Sequence, residues 1–210
     1  MNIYTKIREA GIIPVITIDD EVQAVPLAQA LRKGNMKCIE ITLRTEKALN
    51  AIAIIKEKFP DCIIGAGTVL TIEQVKEAIT MGADFIVSPG SNPRVIDYCK
   101  KQDIIIIPGV ATPSEIEMNL EMGIKVMKFF PAEACGGLNM IKAMSAPYGN
   151  VMFMPTGGIN EANVKFYLEN NKVIACGGSW MVQKQLIEQG RFSEITRLAA
   201  RAMNIVSEVR

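Results

Sequence analysis

The sequence contains no histidine. That one absence excludes Ser-His-Asp and Cys-His nucleophilic catalysis, histidine-containing zinc sites and an imidazole pH switch. Proton transfer must therefore run through Glu, Asp, Lys, Tyr or Cys. Cysteine is sparse as well: Cys38, Cys62, Cys99, Cys135 and Cys176 are widely spaced and form no CxxC pair. No disulfide framework is expected, and the odd count points to reduced thiols in a cytoplasm. Neither sign of charge dominates, with 23 Lys plus Arg against 22 Asp plus Glu, so there is no basic footprint for a nucleic acid. The longest uncharged stretch, 143–160, is broken by Pro, Gly and Asn and cannot form a membrane-spanning helix. Residues 1–10, MNIYTKIREA, lack the apolar segment of a signal peptide and read as a short amphipathic helix. A cytoplasmic protein that binds neither membrane nor nucleic acid is the expectation.

What is present is regular. Apolar residues make up 49% of 210 positions, enough for one self-sufficient domain over 1–210. Eight short apolar or β-rich runs occur at 12–18, 38–43, 63–68, 85–88, 104–108, 126–129, 151–156 and 173–176, with start-to-start gaps of 19 to 26 residues. Each gap holds a strand, a turn and about three helical turns, the βα unit of a parallel sheet. Between the runs lie helix-period segments with glycine stops: 21–33 before Gly34, 72–81 before Gly82, and 114–122 before Gly123. Thr71 and Ser114 read as N-caps. An α/β (β/α)8 barrel with an N-terminal helix is the expected fold. A doubly wound open sheet is the alternative, although no GxGxxG follows the first run.

Chemistry concentrates at the ends of the runs, where a barrel carries function. In CIEITLR, 38–44, the residues Ile39, Ile41 and Leu43 point one way and Glu40, Thr42 and Arg44 the other. Parallel strands are normally apolar on both faces, so a carboxylate and a guanidinium aimed inward need each other or a ligand. The bland reading is a structural Glu40–Arg44 ion pair. In VMKFFP, 126–131, Lys128 is a lone cation within an apolar run. Such surroundings weaken the preference for the charged form and free an amine to attack a carbonyl; a snorkelling lysine is the competing account. Two glycine turns, 156–160 (TGGIN) and 176–180 (CGGSW), follow the seventh and eighth runs, and each is expected to open a helix. That is where barrels hold a phosphate. Tight corners are the plain alternative.

In order, IEITLRT at 39–45, GAGTVL at 65–70, SPG at 88–90, PGVATPSE at 108–115, KFFPAEACGG at 128–137, PTGGI at 155–159 and GGSW at 177–180 resemble the KHG/KDPG aldolase family. The resemblance runs through nearly the whole chain. It implies a class I aldolase that uses neither metal nor other cofactor, a homotrimer, and a small phosphorylated keto acid as substrate. The implied reaction cleaves 2-dehydro-3-deoxy-6-phosphogluconate (KDPG) to pyruvate and D-glyceraldehyde 3-phosphate. It further implies Lys128 as the Schiff-base lysine, Glu40 as general acid/base, and Arg44 with Thr68 at the pyruvyl carboxylate. Pro89, Thr156, Gly157, Gly158, Gly178 and Ser179 are implied to complete the substrate site, the glycines and Ser179 at the phosphate.

The chain departs from the family pattern at Cys135, where an asparagine is familiar, and at Thr17, where many relatives carry arginine. Arg44 and the FFPAE string at 129–133 favour the gluconate or hydroxyoxoglutarate branch over galactonate-type relatives. An aldolase acting mainly on 4-hydroxy-2-oxoglutarate and a phosphosugar-binding barrel without catalysis remain as other readings. Met140 and Met144 are expected to be exposed, on an interface or in helix packing.

Overall fold

The computed structural model describes residues 2–210. Strands and helices alternate along the chain. Helix α1 (Ile3–Ala10), capped by the Asn2 side chain, leads into β1 (Ile12–Ile16), α2 (Ala24–Lys33), β2 (Cys38–Thr42) and α3 (Ala48–Lys58). Next come β3 (Ile63–Gly67), α4 (Ile72–Thr80), β4 (Phe85–Val87), α5 (Pro93–Lys101), β5 (Ile106–Ile107) and β6 (Gly109–Val110). The chain continues through α6 (Pro113–Glu121), β7 (Val126–Phe129), α7 (Gly137–Ser145), β8 (Met152–Pro155) and α8 (Val164–Leu168). It ends with β9 (Cys176–Gly178), α9 (Lys184–Glu188) and α10 (Phe192–Val209).

The architecture is α/β with a half-barrel sheet of parallel strands. Six strands pair in the order β5-β4-β3-β2-β1-β9, and β6-β7-β8 form a second sheet. The first five strands follow one another without reversal and the last lies beside the first. A doubly wound sheet, by contrast, reverses its strand order at a switch point. Isolated parallel bridges join Phe153 to Val173 and Thr156 to Gly177.

The fifth run, 104–108, forms only the short strand β5, paired with β4, and a further strand, β6, follows just beyond the run and pairs with β7. Pro108 stands between them, and a proline has no N–H to donate to a ladder. Its carbonyl still accepts from Lys128 N at 2.8 Å. The eighth run also shifts: the strand covers Gly177 and Gly178, in register with Ile13 and Pro14, instead of ending before them. Glycine is required there by close approach, since a Cβ on Gly177 would lie 2.4 Å from Thr156 Oγ1 and one on Gly178 would enter the Trp180 ring.

Helix boundaries follow their caps. Thr71 accepts from Gln74 N, as expected, but α6 is capped by Thr112 and not by Ser114. Thr112 Oγ1 accepts from Glu115 N and the Glu115 carboxylate accepts from Thr112 N at 2.9 Å. Pro113 occupies the first helical position, where its fixed φ is already helical, which leaves the residue before it as the cap.

Apolar side chains separate into two layers by strand parity. Ile39, Ile41, Ile64 and Phe129 pack with Leu27, Ile52 and Val75 of the surrounding helices. The opposite strand face assembles Ile13, Cys38, Phe85, Val87, Ile107 and Val126 with Ile7 of α1. The amphipathic N-terminal helix therefore closes the N-terminal end of the strands and leaves their C-terminal end open. Met144 is buried, against expectation, because it falls on the core side of α7 with Ile141; Met140 is exposed. All five cysteines are free, and burial pushes the Cys62 and Cys99 thiols up to about 11. No helix among the described residues is long and apolar enough to cross a membrane.

Candidate active site

Two residues above the apolar floor, the inward face changes character. Cys38 is followed by Glu40 on β2, and Val126 by Lys128 on β7, each a single strand repeat toward the open end. Lys128 Nζ lies 3.3 Å from Glu40 Oε1, and the two side chains are 5% and 0% exposed. The ring of Phe130 lies 5.2 Å from the same ammonium. A carboxylate this deep is held by its partner, because removing one member of a buried pair typically costs about 3–5 kcal/mol. Glu40 Oε2 has no hydrogen-bond partner in the protein. A buried acceptor left unpaired is itself unfavourable by about 1–3 kcal/mol, so this oxygen keeps an unmet hydrogen-bonding capacity beside the lysine.

Space for Glu40 comes from β3. Gly65 is in register with Glu40, and a Cβ on Gly67 would stand 2.2 Å from Glu40 Oε1 and 2.7 Å from its Cγ. Gly67→Ala is expected to leave the fold intact by circular dichroism while lowering kcat about 10²-fold through displacement of the carboxylate. Unchanged turnover would mean that the position of Glu40 does not matter.

Farther toward the open end lies a cavity of about 430 Å³. Of the residues singled out in the sequence, Arg44, Thr156, Gly157, Gly158, Gly178 and Ser179 line it. Thr68 joins through Arg44, whose Nε donates to Thr68 Oγ1 at 3.3 Å. Phe130 connects the two levels, since it lines the cavity and its ring stands near the Lys128 ammonium. Pro89 is placed otherwise: its carbonyl packs against Gly109, where any Cβ would lie 2.0 Å from it. Gly109 is the register partner of Lys128, so the 88–90 turn braces the lysine's neighbouring strand.

The glycine turns do not run directly into helices. Helices α8 and α9 begin at Val164 and Lys184, several residues beyond the glycines, and each is only five residues long. The expected helix dipole is therefore not supplied at Gly157 and Ser179. The intervening 157–163 segment is instead stapled by Asn160 and Asn163, whose side-chain amides both donate to the Gly158 carbonyl. Gly157 and Gly158 have φ of +99° and +79°, a backbone region that glycine adopts without strain.

Several cavity residues lie outside every quoted motif: Val15 and Val182 add apolar wall beside Ile159, and Lys184 adds a second cation beside Arg44. The Asp19 carboxylate, 3.0 Å away, raises the pKa of Lys184 above the ordinary lysine value and keeps it charged. Glu133, in the KFFPAE string, accepts from the Tyr167 hydroxyl, and its backbone N–H donates to the Gly157 carbonyl at 3.0 Å. These bonds tie the loop after β7 to the loop after β8. Nothing in the sequence near Glu133 points to Tyr167, which lies 34 residues on.

A buried amine paired with a carboxylate, joined through Phe130 to a cavity with cationic walls, can condense with a keto acid and shuttle its protons. That is the chemistry of a class I aldolase. The chain belongs to the KDPG and KHG aldolase family, whose model matches residues 3–198. It is 48% identical over 206 residues, 98% of each chain, to 2-dehydro-3-deoxy-phosphogluconate aldolase of Treponema pallidum. It superposes with a TM-score of 0.92 on KDPG aldolase from Legionella pneumophila, a structure with pyruvate captured as a covalent carbinolamine intermediate, at 41% identity and covering 95% of this chain and 97% of that one. The Zymomonas mobilis enzyme with 3-phosphoglycerate aligns with a TM-score of 0.91 and 39% identity, covering 96% and 94%.

Proposed function

We infer that this protein cleaves 2-dehydro-3-deoxy-6-phosphogluconate to pyruvate and D-glyceraldehyde 3-phosphate through an imine on Lys128. The observation that carries the reading is the buried Lys128–Glu40 pair with one carboxylate oxygen unpartnered. Lys128 releases its ammonium proton to water, the Nζ lone pair attacks the C2 ketone, the carbinolamine hydroxyl takes a proton back and leaves as water, and the resulting iminium becomes the electron sink. Glu40 takes the C4 hydroxyl proton as the C3–C4 bond breaks. The bonding pair moves into an enamine and the aldehyde departs. Glu40 then returns the proton to C3, and water hydrolyses the imine to release pyruvate and the amine.

Binding roles follow the geometry. The Arg44 fork can hold the pyruvyl carboxylate by two parallel hydrogen bonds, a geometry that lysine cannot copy; its contact with Thr68 fixes the approach. Gly157, Gly158, Gly178 and Ser179 receive the phosphate, with Lys184 as counter-charge. Thr156 lies between the two ends, its hydroxyl fitted against Gly177, and Pro89 acts from behind the lysine's strand. The two sheets are read as arcs of one (β/α)8 barrel in one domain, 1–210. Backbone bridges between β8 and the segment around β9 support this, as does the Pro108 carbonyl bond across β5 and β7. A cytoplasmic homotrimer belongs to the same reading, with exposed Phe166 and Met140 available to an interface.

The test compares substrates. Coupled assay of pyruvate release should give a kcat/KM for the phosphorylated six-carbon substrate at least tenfold above that for 4-hydroxy-2-oxoglutarate, which has the pyruvyl half but no phosphate. Equal efficiencies would move the main activity to the unphosphorylated acid and remove the phosphate assignment.

A further inference from the structure

One polar side chain on the cavity wall has no part in the reaction just described. Thr17 follows β1, is half-buried, and lines the cavity with Arg44 and Ser179. Its hydroxyl lies 3.1 Å from that of Thr42, and Thr42 Oγ1 lies 2.9 Å from the Ile16 carbonyl. A carbonyl oxygen only accepts, so the single hydroxyl proton of Thr42 goes to Ile16. Thr42 then has only lone pairs to offer, and the single proton of Thr17 goes to Thr42. The Thr17 oxygen therefore faces the cavity purely as an acceptor, fixed by a chain of hydrogen bonds that ends on the backbone.

An acceptor needs a donor, and the substrate assigned above has few. Its carboxylate and phosphate are acceptors, its C3 carries only hydrogen, and its C2 is bonded to Lys128. The C4 hydroxyl belongs to Glu40. The C5 hydroxyl, beside the phosphate-bearing carbon, is the one donor left. We propose that Thr17 determines specificity by accepting a hydrogen bond from that hydroxyl, so that the enzyme selects aldehydes hydroxylated next to the reacting carbonyl. The proposal rests on the aldolase reading and adds a residue to it.

The experiment runs the reaction in the condensation direction. With pyruvate in excess, kcat/KM is measured for glyceraldehyde 3-phosphate and for 3-oxopropyl phosphate, the same aldehyde without the hydroxyl. Wild type should prefer the hydroxylated aldehyde by about tenfold, the net effect of one neutral hydrogen bond. Thr17→Val and Thr17→Ala should abolish the preference by slowing the hydroxylated aldehyde alone, and Thr17→Ser should retain it. Borohydride trapping of pyruvate, which contains no such hydroxyl, should be the same in all four proteins. If Thr17→Val keeps the preference, or slows both aldehydes equally, the assignment of Thr17 is overturned. A wild-type protein that traps no pyruvate would overturn the aldolase reading as well, so the two failures can be told apart.

Discussion

Borohydride added to the protein with pyruvate will leave a reduced pyruvyl group on Lys128, located by peptide mass spectrometry, and Lys128→Ala will acquire none. Turnover in that variant should fall by about 10⁵-fold or more, the scale expected when the covalent nucleophile of an enzyme is lost. The variant also strands Glu40, which is 0% exposed and bonded within the protein to nothing but the lysine. Stability should therefore drop by about 3–5 kcal/mol. Lys128→Met separates the two effects. It fills the space left by the side chain, so it should restore part of the stability and none of the adduct. If wild type stays unmodified, or if Lys128→Met still traps pyruvate, the imine lies on another amine or does not form.

Much of this site could be read from one-dimensional pattern. Glu40 is visible because polar and apolar residues alternate with period two along 38–44, and the structure places Ile39 and Ile41 against helices while Glu40 and Thr42 face inward. Lys128 is visible as a charge within a strand otherwise apolar on both faces. Their meeting is not visible, since 88 residues separate them and only the parity and depth of two strands bring them together. The roles of the glycines are equally hidden. Gly67 is glycine because a carboxylate from β2 fills the space of its Cβ, and Gly178 because Trp180 folds back over it. Gly177 and Gly178 look like turn formers when read locally, so the local pattern ends the eighth strand before them. Pro108 misleads in the opposite direction: a local rule for proline ends the run there, whereas the chain pairs again in β6 immediately beyond it. What one sequence conveys is the face and level of each residue, and the approach of elements distant in the chain decides the rest.

Glu40→Gln tests the proton-transfer half of the mechanism without disturbing the covalent half. A glutamine keeps the shape of the side chain and can still present its amide oxygen to Lys128 Nζ, where Glu40 Oε1 now lies at 3.3 Å, so the pyruvate adduct should persist under borohydride. What it cannot do is accept the C4 hydroxyl proton or return a proton to C3, because its only acceptor is a neutral amide oxygen. Loss of a positioned acid/base group should lower kcat by about 10² to 10⁴-fold with little change in KM. A second readout isolates the same step: exchange of the pyruvate methyl protons with deuterated solvent, followed by NMR, requires enamine formation and should slow by a comparable factor. If cleavage and exchange both proceed at the wild-type rate, another group or a bound water moves the proton, and the unpartnered Oε2 of Glu40 would need a different explanation. If exchange slows while cleavage does not, Glu40 serves only the C3 proton, and the C4 hydroxyl must be deprotonated from elsewhere in the cavity.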